Sequence, residues 1–184
     1  MATPILLVSG YLGAGKTTLV NRLLTEADGR RIAAIVNDFG AIDIDAALLS
    51  ASSDGVVSLR NGCICCTLQG DLLRALATVM RSDPRPEAIV IETSGVSDPG
   101  EIMRNLLDPV IFKAAALDAV LTLVDARHIG DDAALLDDPL WLAQLKAADF
   151  VLITKDDLVD AGPLEALRAR IAQVHPRAFV FVGA

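Results

Sequence analysis

Short apolar runs recur along the chain at residues 5–8, 32–36, 88–91, 119–124, 150–153 and 178–182, each about the length of a strand. Near-continuous hydrophobicity, rather than alternation, is what parallel strands covered on both faces require. Between these runs the spacing changes to a helical period. Leu19, Val20, Leu23 and Leu24 share one face of a helix that the pattern starts near Lys16 and ends at Asp28-Gly29, where glycine can take the left-handed cap. A second helix is predicted over residues 68–80, stopped by the proline-punctuated connection Ser82-Asp83-Pro84-Arg85-Pro86. Gly130-Asp131-Asp132 and Asp137-Asp138-Pro139 read as loops, and the run at 178–182 reads as a buried strand. Strands alternating with helices predict an α/β fold: a doubly wound, mostly parallel sheet with helices on both faces.

Length and composition narrow this picture. At 184 residues, 53% of them hydrophobic, the chain can form one domain with a full core, and we read residues 1–184 as that domain. No stretch approaches the roughly 18 uninterrupted apolar residues of a membrane span. A net charge of −8 argues against nucleic acid, whose binding depends on Lys and Arg neutralising phosphates. Three cysteines cannot form a closed set of disulfides and point to a reducing compartment. The opening Met1-Ala2-Thr3-Pro4 lacks the basic region of a signal peptide, so the expected location is the cytoplasm, with neither membrane nor nucleic acid as partner.

The first candidate chemistry is Gly10-Tyr11-Leu12-Gly13-Ala14-Gly15-Lys16-Thr17, which satisfies G-x-x-x-x-G-K-[ST] between a predicted strand and a predicted helix. Gly10, Gly13, Ala14 and Gly15 would turn backbone N–H groups around a nucleotide's phosphates, with Thr18 on the first turn of the helix that follows. Lys16 would reach the β- and γ-oxygens, and the Thr17 hydroxyl would ligate Mg²⁺. The run at 88–91 ends in Glu92-Thr93-Ser94-Gly95. There Glu92 is placed to hold a Mg²⁺-bound water, and the Gly95 N–H to approach the γ-phosphate, with Ser97-Asp98-Pro99 on a segment that senses it.

Thr154-Lys155-Asp156-Asp157 follows the run at 150–153 and resembles the Asn-Lys-x-Asp element that reads guanine. The Asp157 carboxylate can accept from both N1–H and the 2-amino group of guanine, and the Lys155 stem can cover the base, which favours GTP over ATP. Thr154 stands where an Asn amide usually ties this element to the phosphate loop, so a looser tie and weaker affinity are expected.

Gly62-Cys63-Ile64-Cys65-Cys66 places three thiols on a turn before a helix, where thiolates are stabilised. Cys63, Cys65 and Cys66 suit a soft or borderline ion, with a carboxylate from Asn37-Asp38-Phe39-Gly40 available to complete the set; Zn²⁺, Co²⁺ and Ni²⁺ are all compatible. Packing or redox roles for the thiols remain open at this point. His128 reads as a helix-start or surface residue and His175 as structural, at a helix C-terminus. Trp141 and Leu142 read as helix anchors.

Taken together, these motifs and Val124-Asp125-Ala126 resemble the nucleotide-binding domain of the CobW/HypB/UreG family of P-loop GTPases, and within it the CobW-like branch. The resemblance covers essentially the whole chain. It implies a P-loop NTPase fold and a GTPase that couples transfer of zinc, cobalt or nickel to a client metalloprotein, or to cobalamin synthesis, through the C-x-C-C site. A homodimer is a further implied partner state. Lys16, Thr17, Asp38 and Glu92 are the implied catalytic residues. Asp38 departs from the family's usual Glu in Asn-Glu-Phe-Gly and is one methylene shorter, which leaves its role split between metal ligation and ordering the attacking water. Family members commonly carry a C-terminal domain, often with histidine-rich stretches, and the 184 residues are expected to be the nucleotide-binding domain with that C-terminal domain absent. Two rival readings stay open: a P-loop ATPase or kinase with structural or redox cysteines, and a non-enzymatic metal-storage module.

Overall fold

The computed structural model describes residues 2–37, 56–59 and 68–183. Its elements run β1 (Thr3–Gly10), α1 (Lys16–Thr25), β2 (Ile32–Asn37), β3 (Val56–Leu59), α2 (Leu68–Met80), β4 (Ala88–Glu92), α3 (Pro99–Leu106), α4 (Pro109–Ala114), β5 (Ala115–Asp125), α5 (Ala126–Asp131), α6 (Pro139–Lys146), β6 (Phe150–Thr154), α7 (Ala161–Val174) and β7 (Phe179–Val182). Short 3₁₀ turns at Ala133–Asp137 and Asp156–Leu158 complete the path. Among the described residues seven strands form one sheet in the order β3-β2-β4-β1-β5-β6-β7, and every neighbouring pair is parallel. The expected α/β doubly wound architecture is present, with a wholly parallel sheet. The strand order reverses beside β1, and in open α/β sheets ligands bind beyond the carboxyl ends of strands at such a switch point.

Side-chain alternation sorts the core by face. In β1 and β4, Ile5, Leu7, Ile89 and Ile91 pack with Leu72, Leu76 and Leu106 on one side of the sheet. Val8 and Val90 pack with Val20 of α1 on the other. Glu92 follows Val90 by two residues, so the strand period aims its carboxylate at α1. A third cluster joins Trp141, Leu145, Val151, Ile153, Leu167 and Ile171 around β6. Among the described residues no helix is long and apolar enough to cross a membrane.

Four features differ from the sequence reading. β3 was not among the predicted strands: Val56–Leu59 is only four residues long. β5 starts at Ala115, earlier than the run at 119–124, because pairing with β1 resumes on both sides of an irregularity that leaves the polar Asp118 without a register partner. Gly130 and Asp131 close α5 instead of forming a loop; the Asp125 side chain accepts from the His128 N–H at 3.1 Å and starts that helix. β7 is an exposed edge, not a buried strand, with Phe179 65% and Phe181 54% exposed. The two rings rest on Phe150 instead, at centroid separations of 5.7 and 6.3 Å.

Candidate functional site

The switch point holds the phosphate loop. Gly10, Gly13 and Gly15 have φ of 136°, 77° and 94°, values that L side chains rarely adopt. A Cβ on Gly10 would lie 2.4 Å from the Leu123 carbonyl oxygen, so the start of the loop can pass β5 only as glycine. The helices α3, α5 and α6 begin with Asp98, Asp125 and Asp138, whose side chains cap their N–H groups. Gly15 at the same position of α1 supplies no side-chain cap. The N–H groups of this first turn, and the positive end of the helix dipole, are therefore available to an anion.

Lys16 is buried and its Nζ donates to the carbonyls of Gly10 at 2.8 Å and Tyr11 at 3.0 Å, curling over its own loop. Burial lowers its pKa from the ordinary 10.5, and the nearby Glu92 carboxylate opposes that shift. A phosphate would add countercharge to the buried ammonium beyond what Glu92 supplies. Next to it the Thr17 hydroxyl donates to Glu92 Oε1 at 2.7 Å, and Glu92 is 5% exposed. A hydroxyl and a buried carboxylate in contact beside a phosphate cradle form the hard-oxygen donor set that Mg²⁺ takes, so these residues fit that ion. Ala14 is fully buried, and Thr18 is exposed on α1. Gly95 packs against the loop so closely that a Cβ would lie 2.6 Å from the Leu12 backbone nitrogen.

Thr154-Lys155-Asp156-Asp157 approaches the phosphate loop from the end of β6. Thr154 Oγ1 donates to the Ala14 carbonyl at 3.0 Å, across 140 residues of sequence. The tie to the phosphate loop that an Asn amide usually makes is made here by a buried hydroxyl. Lys155, at φ 55°, sends Nζ to the Gly13 carbonyl at 2.9 Å and to Asp125 Oδ2 at 2.6 Å. Asp157 is exposed on the 3₁₀ turn that follows. Sequence reasoning gave Asp125 no role of its own. It caps α5 with one oxygen and anchors Lys155 with the other, and its place between a strand-sized apolar run and a helix start was the signal for a cap. His128 stacks edge-on against Tyr11 of the phosphate loop at 5.9 Å, and His175 bonds through Nε2 to the Ala148 carbonyl at 2.8 Å. Asp38, Cys63, Cys65 and Cys66 lie outside the described residues, and among those described no group of three His, Cys, Asp or Glu could hold a metal.

The model of the CobW/HypB/UreG nucleotide-binding domain matches residues 4–182. The chain belongs to this family. Within it, the chain is 34% identical to a protein named zinc chaperone CobW from Sinorhizobium sp, over 92% of this chain and 55% of that protein. It is 36% identical to one named zinc chaperone YjiA from Escherichia coli strain K12, over 96% of this chain and 56% of the relative. The crystal structure of zinc-bound YjiA GTPase from E. coli superposes with a TM-score of 0.71 at 29% identity, covering 98% of this chain and 57% of that one. The chain thus spans about half the length of the curated relatives it matches, between 43% and 56% of each. In this CobW/HypB/UreG domain the glycine loop, Glu92 and the Thr154-Lys155-Asp156-Asp157 element converge on the carboxyl ends of β1, β4 and β6.

Proposed function

We propose that this domain binds Mg²⁺–GTP, hydrolyses it, and uses that cycle to hold and release a transition-metal ion for a client metalloprotein. The observation that carries the nucleotide half is the 2.7 Å contact of Thr17 with Glu92 at the uncapped start of α1. Lys16 exchanges the carbonyls of Gly10 and Tyr11 for phosphate oxygens, while the Gly95 N–H is offered to the γ-phosphate. Bound Mg²⁺ would neutralise charge shared by the β- and γ-phosphates. Lys155 and Asp157 select guanine.

The names of the curated relatives support zinc as the cargo ahead of cobalt or nickel. Cys63, Cys65 and Cys66, with Asp38, would hold it, and the segments at 38–45 and 94–98 would relay the state of the γ-phosphate to the thiols. Hydrolysis by the domain alone is slow, and a client or second copy of the chain accelerates it in the cytoplasm. The test is GTP and ATP turnover by wild type and Lys16→Ala. Turnover of GTP in preference to ATP, lost in the variant, supports the reading. Equal or preferential ATP turnover returns it to a P-loop ATPase or kinase, and no turnover in wild type leaves a metal-storage module.

A further inference from the structure

On α6, the face that packs into the β6 core with Trp141 and Leu145 also buries one carboxamide, Gln144, only 1% exposed. Its Nε2 donates to the carbonyls of Gly95 and Ser97, each at 3.3 Å, 49 and 47 residues away in sequence. The Gln144 backbone carbonyl accepts from the Thr122 hydroxyl at 3.0 Å, which fixes the helix to β5 at that point. The loop between Glu92 and α3 is therefore gripped from two sides. Leu12 of the phosphate loop closes on Gly95 from one, and Gln144 holds the carbonyls of Gly95 and Ser97 from the other.

The bed under this loop is polar where packing alone would favour apolar groups. Ser9 pairs in register with Thr122, on the sheet face away from α1. Thr93 extends the β1–β4 ladder, its N–H donating to the Val8 carbonyl at 2.9 Å, which turns its side chain opposite to that of Glu92. Ser9 Oγ, Thr93 Oγ1 and Gln144 Oε1 are buried with no hydrogen-bond partner among the described residues. Such orphaned atoms cost stability and call for a reason beyond packing.

We propose that Gln144 is a positioning residue for the γ-phosphate site: its buried amide sets where the Gly95–Ser97 loop lies, and so where the Gly95 N–H points. This rests on reading the site as that of a GTPase. It predicts that Gln144 distinguishes nucleoside triphosphate from diphosphate without touching either, because only the triphosphate reaches Gly95.

The experiment compares wild type, Gln144→Met, Gln144→Glu and Lys16→Ala for kcat and KM with GTP and for affinity toward GDP and a non-hydrolysable GTP analogue. In Gln144→Met, kcat should fall about tenfold, as loss of one to two net hydrogen bonds implies. The affinity ratio of GTP analogue to GDP should fall about fivefold while GDP binding stays within about twofold. In Gln144→Glu a carboxylate would face two carbonyls, so the loss at neutral pH should exceed that of Met and shrink as the carboxyl is protonated. A folded Gln144→Met with wild-type kcat and affinity ratio overturns the proposal, as does an equal loss of GDP and analogue binding, which marks a packing role. Wild type that neither binds nor hydrolyses GTP overturns the GTPase reading and this proposal with it. An inactive Lys16→Ala beside a wild-type-like Gln144→Met overturns this proposal alone. If Gln144→Met does not fold, NMR of the wild-type Gln144 side-chain amide decides: protected protons whose shift differs between GDP and analogue support the role, and fast-exchanging, nucleotide-insensitive protons overturn it.

Discussion

Thr154→Val replaces a hydroxyl with a methyl of nearly the same shape and leaves the volume at the end of β6 intact. What it removes is the donor to the Ala14 carbonyl at 3.0 Å, together with a longer contact of 3.4 Å to the Val124 carbonyl. Thr154 is buried and Ala14 fully so, which keeps water from replacing the lost donor. Leaving a buried acceptor short of a partner costs about 1–3 kcal/mol, and here the lower half of that range applies because the carbonyls keep their positions in the chain. At about 2–4 °C per kcal/mol for a domain of this size, the melting temperature should fall by about 3–6 °C. Because the bond joins the base-reading element to the phosphate loop, GTP and GDP should both bind more weakly, by about threefold to tenfold, with their ratio unchanged. Thermal melts and titrations with fluorescent nucleotide check both numbers. Wild-type stability in Thr154→Val would count against the tie, and so would a loss confined to GTP, since the tie holds the loop that would cradle the phosphates of both nucleotides.

Gly95→Ala brings a methyl within 2.6 Å of the Leu12 backbone nitrogen and 2.8 Å of its Cα, so the loop must withdraw. GTP hydrolysis should drop by at least about tenfold with GDP affinity nearly kept, measured by steady-state turnover and nucleotide titration. Because burial lowers the Lys16 pKa in the folded protein, the unfolded chain binds more protons between that pKa and 10.5. The nucleotide-free domain should therefore gain stability as pH rises through this window, and Lys16→Met should remove that slope, as read from urea unfolding at a series of pH values. Asp125→Ala removes the cap on α5 and the anchor of Lys155, and should lower stability by about 1–2 kcal/mol while weakening both nucleotides, by the same assays. Asp125→Asn, which keeps a capping oxygen, should recover the stability but not the affinity.

Most of the sheet was legible because β1, β2, β4, β5 and β6 bury apolar residues on both faces and so read as apolar runs between polar breaks, whereas the four-residue β3 did not. β7 shows the limit of that signal: the same run of Phe and Val lies at the sheet edge, and composition alone does not say which neighbours a strand will have. The octet that makes the phosphate loop was readable because its glycines are demanded by backbone geometry, which the structure displays at positive φ. Thr154 was misjudged because the sequence gives a residue's chemistry but not its reach, and a hydroxyl at the end of β6 proved near enough to Ala14 to replace an amide. Gln144 gave no signal beyond a polar side chain among the apolar residues of α6; its partners are 47 and 49 positions away and meet it only in the folded sheet.

If the nucleotide state governs metal holding, each ligand changes the other's affinity by the same factor, a coupling typically of about 1–3 kcal/mol. The most direct measurement titrates the reduced protein with Co²⁺, following thiolate-to-metal charge-transfer absorbance, in the presence of Mg²⁺ with either GDP or a non-hydrolysable GTP analogue. The account predicts thiolate binding at least about fivefold tighter with the analogue, a difference lost in Cys65→Ala. Equal thiolate binding in the two nucleotide states would contradict it, leaving a GTPase whose cysteines do not answer to the γ-phosphate.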